Sequence, residues 1–440
     1  MMEHHRRCVG PLLIALAACN GRQNAPAVTP QTEPRSASFN AGDARAIATW
    51  RADILFLADT IARGHAAAFH TTSKQQWNID VASLVAGLPA LRRPAILVEI
   101  ARLVASIGDG HTRFRAYPSS ENRGTLRFRI VPIRFESVGS EFVIAATGQS
   151  YESLAGARLL GIGTHSTADV VRRLAPLISR DNPFGLRAIA TLYMPVAEVL
   201  ALRGIAESPD SLLLRVETPA GKRISRWVGA SISDSLPLRD AFDVVGRTAP
   251  WHVRARHDVF WSLELAGGRA AYFQINAIAD KPSIRLGDHC IALVKDAARQ
   301  ALHRVVIDLR YNGGGSRELM LPCIDALRAS VFNQRGRLFV LVGHRTFSAA
   351  LWAALDFSRT TEAILIGEPT SGRPNFYGET RWIETPDLSL HASFASRMNL
   401  RSDTGDKRVA LVPRVVVVPR WTDFINARDP ALDAALAWRP

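Results

Sequence analysis

Cysteine is scarce in this chain, with four in 440 residues and no CxxC pair among them. That excludes a disulfide-framework scaffold and a zinc site of thiolate spacing. No apolar run approaches the ~18 residues that a bilayer-spanning helix needs, so no such helix is expected in the mature chain. Neither GxGxxG nor GxxxxGK[ST] occurs, which disfavours a nucleotide cradle, and the GxSxG elbow of α/β-hydrolases is missing too. Acidic residues are outnumbered, 40 against 54 basic ones, for a net charge of +14. The surplus is mostly Arg scattered along the whole length, whereas a nucleic-acid footprint gathers its charge on one face or tail. No nucleic-acid partner is therefore expected; anionic partners such as lipid headgroups suit the balance better. With 47% hydrophobic and 21% charged residues, the chain is not disordered, collagenous or fibrous. Its length suits two or three domains.

The first residues read as an address. Arg6 and Arg7 precede a short apolar stretch, Val9 to Ala18, that ends in Leu16-Ala17-Ala18-Cys19. A positive flank, a brief apolar core and small residues before a cut describe a secretory signal over 1–18. The four residues also resemble the bacterial lipobox, in which the Cys carries the lipid, so Cys19 is the expected anchor. Asn20 stands where an inner-membrane retention signal would have Asp. The resulting location is the cell envelope, on the periplasmic side of the outer membrane. Residues 19–40, rich in Pro, Ser, Thr, Gln and Asn, complete the anchor with a flexible tether.

Three regions follow. Apolar spacings of three and four over Arg45–Arg63 and Ala95–Ile107 predict a helical domain over 41–116. Period-two alternation from 125 to 150, and strands near Leu212–Val216 and Ile224–Val228, predict a β-rich domain over 117–235. From 250 to 440 the pattern alternates. Strands are expected at Ala270–Ile275, Arg304–Leu309, Leu338–Val342 and Ala363–Ile366, with helices between them at Leu286–Leu302, Leu319–Ser330 and Ala349–Phe357. Alternation of this kind implies an α/β domain with a largely parallel sheet.

The chemistry concentrates at two strand ends. The strand Arg304–Leu309 runs into Gly313-Gly314-Gly315, a turn that lets backbone N–H groups converge on an oxyanion or a phosphate. The strand Leu338–Val342 leads to Ser348 at a helix start, on the sheet edge that carries sites in open α/β folds. Ser is also a common N-cap, but the neighbouring glycine turn places Gly314 and Ala349 amides as an oxyanion pair beside it. A serine nucleophile needs a base. His111, in Gly108-Asp109-Gly110-His111-Thr112, and His344, four residues before the serine, are the candidates.

These segments resemble the S41 serine peptidases, the tail-specific or C-terminal processing proteases. Asp308-Leu309-Arg310-Tyr311-Asn312-Gly313-Gly314-Gly315 is similar to the family's DLRxNxGG turn, and Arg345-Thr346-Phe347-Ser348-Ala349-Ala350 to its nucleophile segment. Ile366-Gly367-Glu368-Pro369-Thr370-Ser371-Gly372 resembles its GExTxG loop, and Arg428-Asp429-Pro430-Ala431-Leu432 is also typical. The four segments occur in the family's order. It implies a ClpP/crotonase-like catalytic domain behind the helical N-terminal domain and a small, PDZ-like β-rich middle domain.

Pro369 occupies the position of the lysine base found in one branch of the family. The Asp109-Gly110-His111-Thr112 segment is similar to the other, tricorn-like branch, whose base is an upstream His. The resemblance thus implies Ser348 as nucleophile, His111 as base, Gly314 and Ala349 as oxyanion hole, and a late-loop acid orienting the His: Asp406, or next Asp403. Leu154–Gly163 resembles the second half of a PDZ module, which takes extended peptide as an added strand. No metal or cofactor is implied, and the expected partners are polypeptide substrates and the membrane. The readings from other classes are a catalytically inactive S41-like binding lipoprotein and an acyl-CoA enzyme of crotonase type. Cys290 and Cys323 fall on successive helices, either as a bridge or as two buried thiols.

Overall fold

The computed structural model describes residues 44–115, 128–232, 237–265 and 270–439. The expected signal segment, the tether and Cys19 lie outside them. Among the described residues, no helix is long and apolar enough to cross a membrane.

Three helices open the chain: α1 (Ala44–Gly64), α2 (Lys74–Gly87) and α3 (Arg93–Ala105). Trp50, Ile54, Leu57 and Ile61 recur at spacings of three and four and are buried along one face of α1. Ser73 caps α2 by accepting from the Gln76 amide at 3.0 Å, and Pro94 at the start of α3 loses no helical hydrogen bond there. A short strand β1 (Arg113–Phe114) follows.

The middle of the chain is an antiparallel sheet in the order β2 (Ile133–Val138), β3 (Glu141–Thr147), β4 (Arg158–Ile162), β6 (Ser211–Glu217), β7 (Arg223–Gly229). Two short strands flank this path, β5 (His165–Ser166) on β4 and β8 (Arg239–Asp240) on β3. Helices α4 (Thr167–Leu174), α5 (Pro183–Tyr193) and α6 (Ala197–Leu202) are inserted before β6, and α7 (Ala241–Val244) and α8 (Trp251–Arg254) follow β8. Strand β6 alternates intermediate and buried residues, the pattern of a sheet with one face on a core.

The C-terminal part holds a six-stranded sheet in the order β16-β13-β12-β11-β10-β9. Its members are β9 (Phe260–Leu265), β10 (Ala270–Ile275), β11 (Arg304–Asp308), β12 (Leu338–Val342), β13 (Ile364–Gly367) and β16 (Val415–Val416). All neighbours are parallel except β9, which is antiparallel to β10. Strands β10, β12 and β13 are buried at every residue, as expected where both faces are covered. Helices α9 (Leu286–Arg299), α10 (Leu321–Arg328) and α11 (Ala349–Thr360) contribute to the core on one face, and α13 (Pro430–Leu436) to that on the other. A disulfide joins Cys290 on α9 to Cys323 on α10, with Cα atoms 5.3 Å apart, which resolves the choice left open by the sequence. Helix α12 (Trp421–Ile425) covers β3.

Two features depart from the sequence reading. A long hairpin, β14 (Phe376–Glu384) and β15 (His391–Asn399), leaves the C-terminal part and pairs through β15 with β1. The cores also cross the expected boundary at 116. Ile54 and Ile61 of α1, Phe135 of β2, Leu212 of β6 and Ala392 of β15 share one apolar cluster. Buried Asp53 on α1 fastens the hairpin by accepting from Thr385 Oγ1 and the Leu388 amide.

Candidate active site

Strand β11 ends in Asp308, which is wholly buried and grips Arg310 through its guanidinium at 2.6 Å. The same guanidinium forks onto Asp429 at 2.7 and 2.8 Å. The Asp308-Leu309-Arg310 and Arg428-Asp429-Pro430 segments are therefore one buried ion network, which holds the far helix α13 against the sheet. Among the described residues, these charges are a girder and do not touch Ser348.

The glycine turn follows. Asn312, fully buried, donates from Nδ2 to the Ile275 carbonyl at 3.0 Å, and its own carbonyl accepts from the Phe347 amide at 3.1 Å. Gly314 has φ +119°, and a Cβ there would lie 2.8 Å from the Ser348 Cβ. Glycine is thus required both for its backbone conformation and for close approach. The Gly314 amide, expected in the oxyanion hole, donates to Asn312 Oδ1 at 2.9 Å. It is engaged as the structure stands.

On the adjacent strand, Thr346 Oγ1 donates to the Leu309 carbonyl at 2.8 Å and accepts from the Gly343 amide at 3.0 Å. This ties the loop after β12 onto the end of β11. Ser348 then takes φ +52° and ψ −126°, a sparsely populated conformation for a side chain, costing of order 1–3 kcal/mol. Its hydroxyl does not cap α11. It lies 2.9 Å from His111 Nε2, across 237 residues of sequence. The Ala349 amide, first of α11, donates to no acceptor among the described residues and is available to an oxyanion.

His111 is held by distant segments. Its carbonyl accepts from Ser393 Oγ on β15 at 2.8 Å. Its ring packs against Phe347 (centroids 4.6 Å apart) and Phe376 (5.0 Å, nearly parallel). Asp109 Oδ1 accepts from the His111 and Thr112 amides, each at 2.8 Å, and Asp109 Oδ2 lies 3.0 Å from Nε2 of buried His65. Gly110 donates to Asp181 Oδ1 at 2.6 Å. A Cβ at Gly110 would meet the Phe347 ring at 2.7 Å. Asn182 next to Asp181 reaches the Thr370 and Val409 carbonyls at 3.0 and 2.7 Å. The middle region thereby joins the His loop to the loop beyond β13.

Burial, reinforced by the Arg113 charge and opposed by Asp109, pushes the His111 imidazole down to about 3. The ring is neutral at physiological pH, with Nε2 facing the serine. Burial likewise pushes the Asp181 carboxyl up to about 7, against the Gly110 hydrogen bond.

Asp406 is not the acid that orients this ring. Its carboxylate takes the Arg408 guanidinium at 2.7 and 3.0 Å and the Arg408 amide at 3.0 Å, which lowers its pKa. The turn closes on itself because the partner cation is only two residues away. Asp403 contributes its backbone carbonyl to Asn375. His111 Nδ1 is buried without a hydrogen-bond partner; the Tyr377 backbone only favours the charged ring weakly. The carboxylate whose charge supports His111 is Asp109, in the same Asp109-Gly110-His111-Thr112 segment. Its position two residues before the His, where it can cap the His and Thr amides, was the available signal. His344, the other candidate base, faces Glu368 and Phe184 instead of Ser348. Among the described residues no cluster of His, Cys, Asp and Glu is suited to a metal ion.

No protein-family model matches this chain, and no curated protein sequence does. Solved structures do. Mature CPAF in complex with lactacystin superposes with a TM-score of 0.60 at 12% identity, covering 89% of this chain and 98% of that one. A further structure of mature CPAF gives the same TM-score and identity over 89% and 97%. The photosystem II D1 C-terminal processing protease aligns over 84% and 94% at 13% identity, with a TM-score of 0.41. Across most of its length, then, this chain has the fold of mature CPAF, a mixed α/β architecture with a helical N-terminal part and several sheets.

Proposed function

We propose that this chain is a serine peptidase that cleaves extended or unfolded polypeptides by Ser–His acyl transfer. The observation that carries the reading is the 2.9 Å contact between Ser348 Oγ and His111 Nε2, made on a strained strand-to-helix turn. Ser348 attacks the scissile carbonyl carbon as His111 Nε2 takes its proton. The carbonyl oxygen becomes an oxyanion facing the Ala349 amide. His111 then gives its proton to the departing amine, leaving an acyl-enzyme. Water, deprotonated by the same ring, releases the acyl group. Asp109 favours the transient imidazolium through its charge. Gly314 joins the oxyanion hole once its amide leaves Asn312.

The protein is proposed to act at the cell envelope, anchored through lipid on Cys19. Labelled palmitate that enters the wild type but not Cys19→Ala would support the anchor; equal labelling would remove it.

A second reading, a peptide-binding protein without turnover, is favoured by the unpartnered His111 Nδ1 and the engaged Gly314 amide. Incubation with an unfolded polypeptide and mass spectrometry of the products separates the two. The peptidase requires cleavage by wild type, lost by ~10⁴-fold or more in Ser348→Ala, in His111→Ala and, no more severely, in the double variant. Binding without cleavage in all four proteins would establish the second reading.

A further inference from the structure

A cavity of about 110 Å³ lies on the other side of the nucleophile loop, between β2 and the ends of β12 and β13. Val138, Phe242, Val253, Phe424 and Pro430 give it an apolar wall. The charged groups around it are mostly spent on one another. Arg310 serves Asp308 and Asp429. Glu136 accepts from Tyr311 at 2.7 Å and Arg256 at 3.2 Å, with Arg345 at 3.6 Å. His252 lies 2.8 Å from Asp429, and Arg428 2.7 Å from Asp423.

Glu368 and His344 are the exceptions. They line the cavity with side chains 14% and 11% exposed, 3.4 Å apart, outside hydrogen-bond geometry. Among the described residues, no donor reaches the Glu368 carboxyl. Two cations, Arg310 and Arg187, act on it through their fields. Arg310 has its donors on carboxylates, and Arg187 sends Nη2 to the Ser140 carbonyl while its Nε has no partner. Burial outweighs both fields and pushes Glu368 up to about 7; burial, then the Arg187 charge, pushes His344 down to about 4. A buried carboxyl without a donor is costly to ionise, and a ligand bringing its own positive donor removes that cost.

We propose that this cavity binds a primary ammonium group carried on a short apolar chain, with Glu368 and His344 as its acceptors. A peptide N-terminus and a lysine side chain both present that chemistry. The ammonium donates to the Glu368 carboxylate and to a ring nitrogen of His344, and the chain packs on Val138, Phe242, Val253 and Phe424. Glu368 molecules protonated before binding release that proton to solvent, and the ammonium keeps its own. Residues 343–345 line the cavity and lead directly into Thr346–Ser348, so an occupant sits against the loop that presents the serine. The proposal does not depend on peptidase activity.

Isothermal titration calorimetry of the full-length protein at pH 7, in two buffers of different ionisation heat, tests it. The probes are leucinamide, n-butylamine and, lacking the ammonium, N-acetyl-leucinamide. At least one amine is expected to bind with a buffer-dependent heat that reports proton release, and N-acetyl-leucinamide is expected not to bind. Leucinamide alone would identify a peptide N-terminus; butylamine alone would identify a lysine side chain. Glu368→Gln should weaken binding tenfold or more. Ser137→Phe, which adds a ring to the cavity wall while keeping Glu368, should abolish it. Circular dichroism identifies any variant that fails to fold, and the folded one decides. Ser348→Ala should bind as the wild type does, which separates this site from the peptidase reading. Absence of amine binding, equal binding of the acetylated probe, or binding undiminished in the folded variants would overturn the proposal.

Discussion

Ser348 and His111 meet at 2.9 Å, yet they are held in opposite ways. Ser348 is positioned locally: two adjacent parallel strands, the Thr346 tie to Leu309, and the Cα of Gly314 pressed against it. His111 is positioned from afar, by β15, Asp181, Phe376 and the His65–Asp109 pair. The first arrangement is written within about 40 residues of contiguous chain. The second exists only when segments hundreds of residues apart have packed. A nucleophile can thus be built into one loop, while its base depends on the whole fold.

Variants can break this contrast from either side. The largest effect expected is on the serine side. Reducing the Cys290–Cys323 disulfide, which closes a loop of 33 residues, should cost about 3–4 kcal/mol of stability by loop entropy. Denaturant unfolding with and without reductant measures it. Next comes Gly314→Ala. Its Cβ would push on Ser348 from a backbone that tolerates only glycine, and a displacement near 1 Å costs about 100-fold in kcat. Steady-state kinetics beside a melting curve would separate displacement from unfolding.

On the histidine side, Asp109→Asn removes the carboxylate that favours the imidazolium. A loss of ~10-fold in kcat/KM is expected, below the ~10²–10⁴-fold that a group transferring the proton itself contributes. The pH profile adds a sign. With His111 held to about 3, the acid limb of kcat/KM should fall well below the ordinary His value near 6.5, and Asp109→Asn should move it lower still. Stability follows the same linkage. The unfolded chain protonates His111 near pH 6.5 while the folded one excludes that proton, so this contribution is full above 6.5 and is lost as pH falls toward 3. An acid limb at 6.5 would mean that the ring is better solvated than its burial against Phe347 and Phe376 implies. The smallest effect is expected from Asp406→Ala. An ion pair closing its own turn contributes roughly 0–1 kcal/mol, so kcat/KM should stay within about twofold of wild type. A loss of 100-fold would restore Asp406 as the orienting acid.

Much of the sheet was legible beforehand. The run at 270–275, apolar but for Gln274, and the all-apolar run at 338–342 are strands with those bounds, because strands covered on both faces need continuous burial. The helix expected over 319–330 begins instead as a 3₁₀ turn at Arg317–Met320 before α10. Pro322 sits in the first turn of α10, where its missing amide matters least. Within the region expected to be β-rich, helices α5 and α6 stand on either side of Pro195. The hairpin β14–β15 was not anticipated. Its strand β14 mixes buried and exposed residues without clean alternation, and Glu379 sits at φ +54° where one opposed pair drops out of an otherwise unbroken register.

The amino-acid pattern alone determined the strand-and-helix grammar of the C-terminal sheet, its glycine turn and the placing of Ser348 at a helix start. These depend on burial period and backbone freedom among near neighbours. Only the tertiary structure decided how His111, the base that the resemblance implies, reaches the serine, that Asp109 supports it while Asp406 turns to Arg408, and that Glu368 is left without a donor. Those outcomes rest on packing between segments far apart in sequence, where a shift of an ångström makes or breaks a hydrogen bond and no local pattern records the partner.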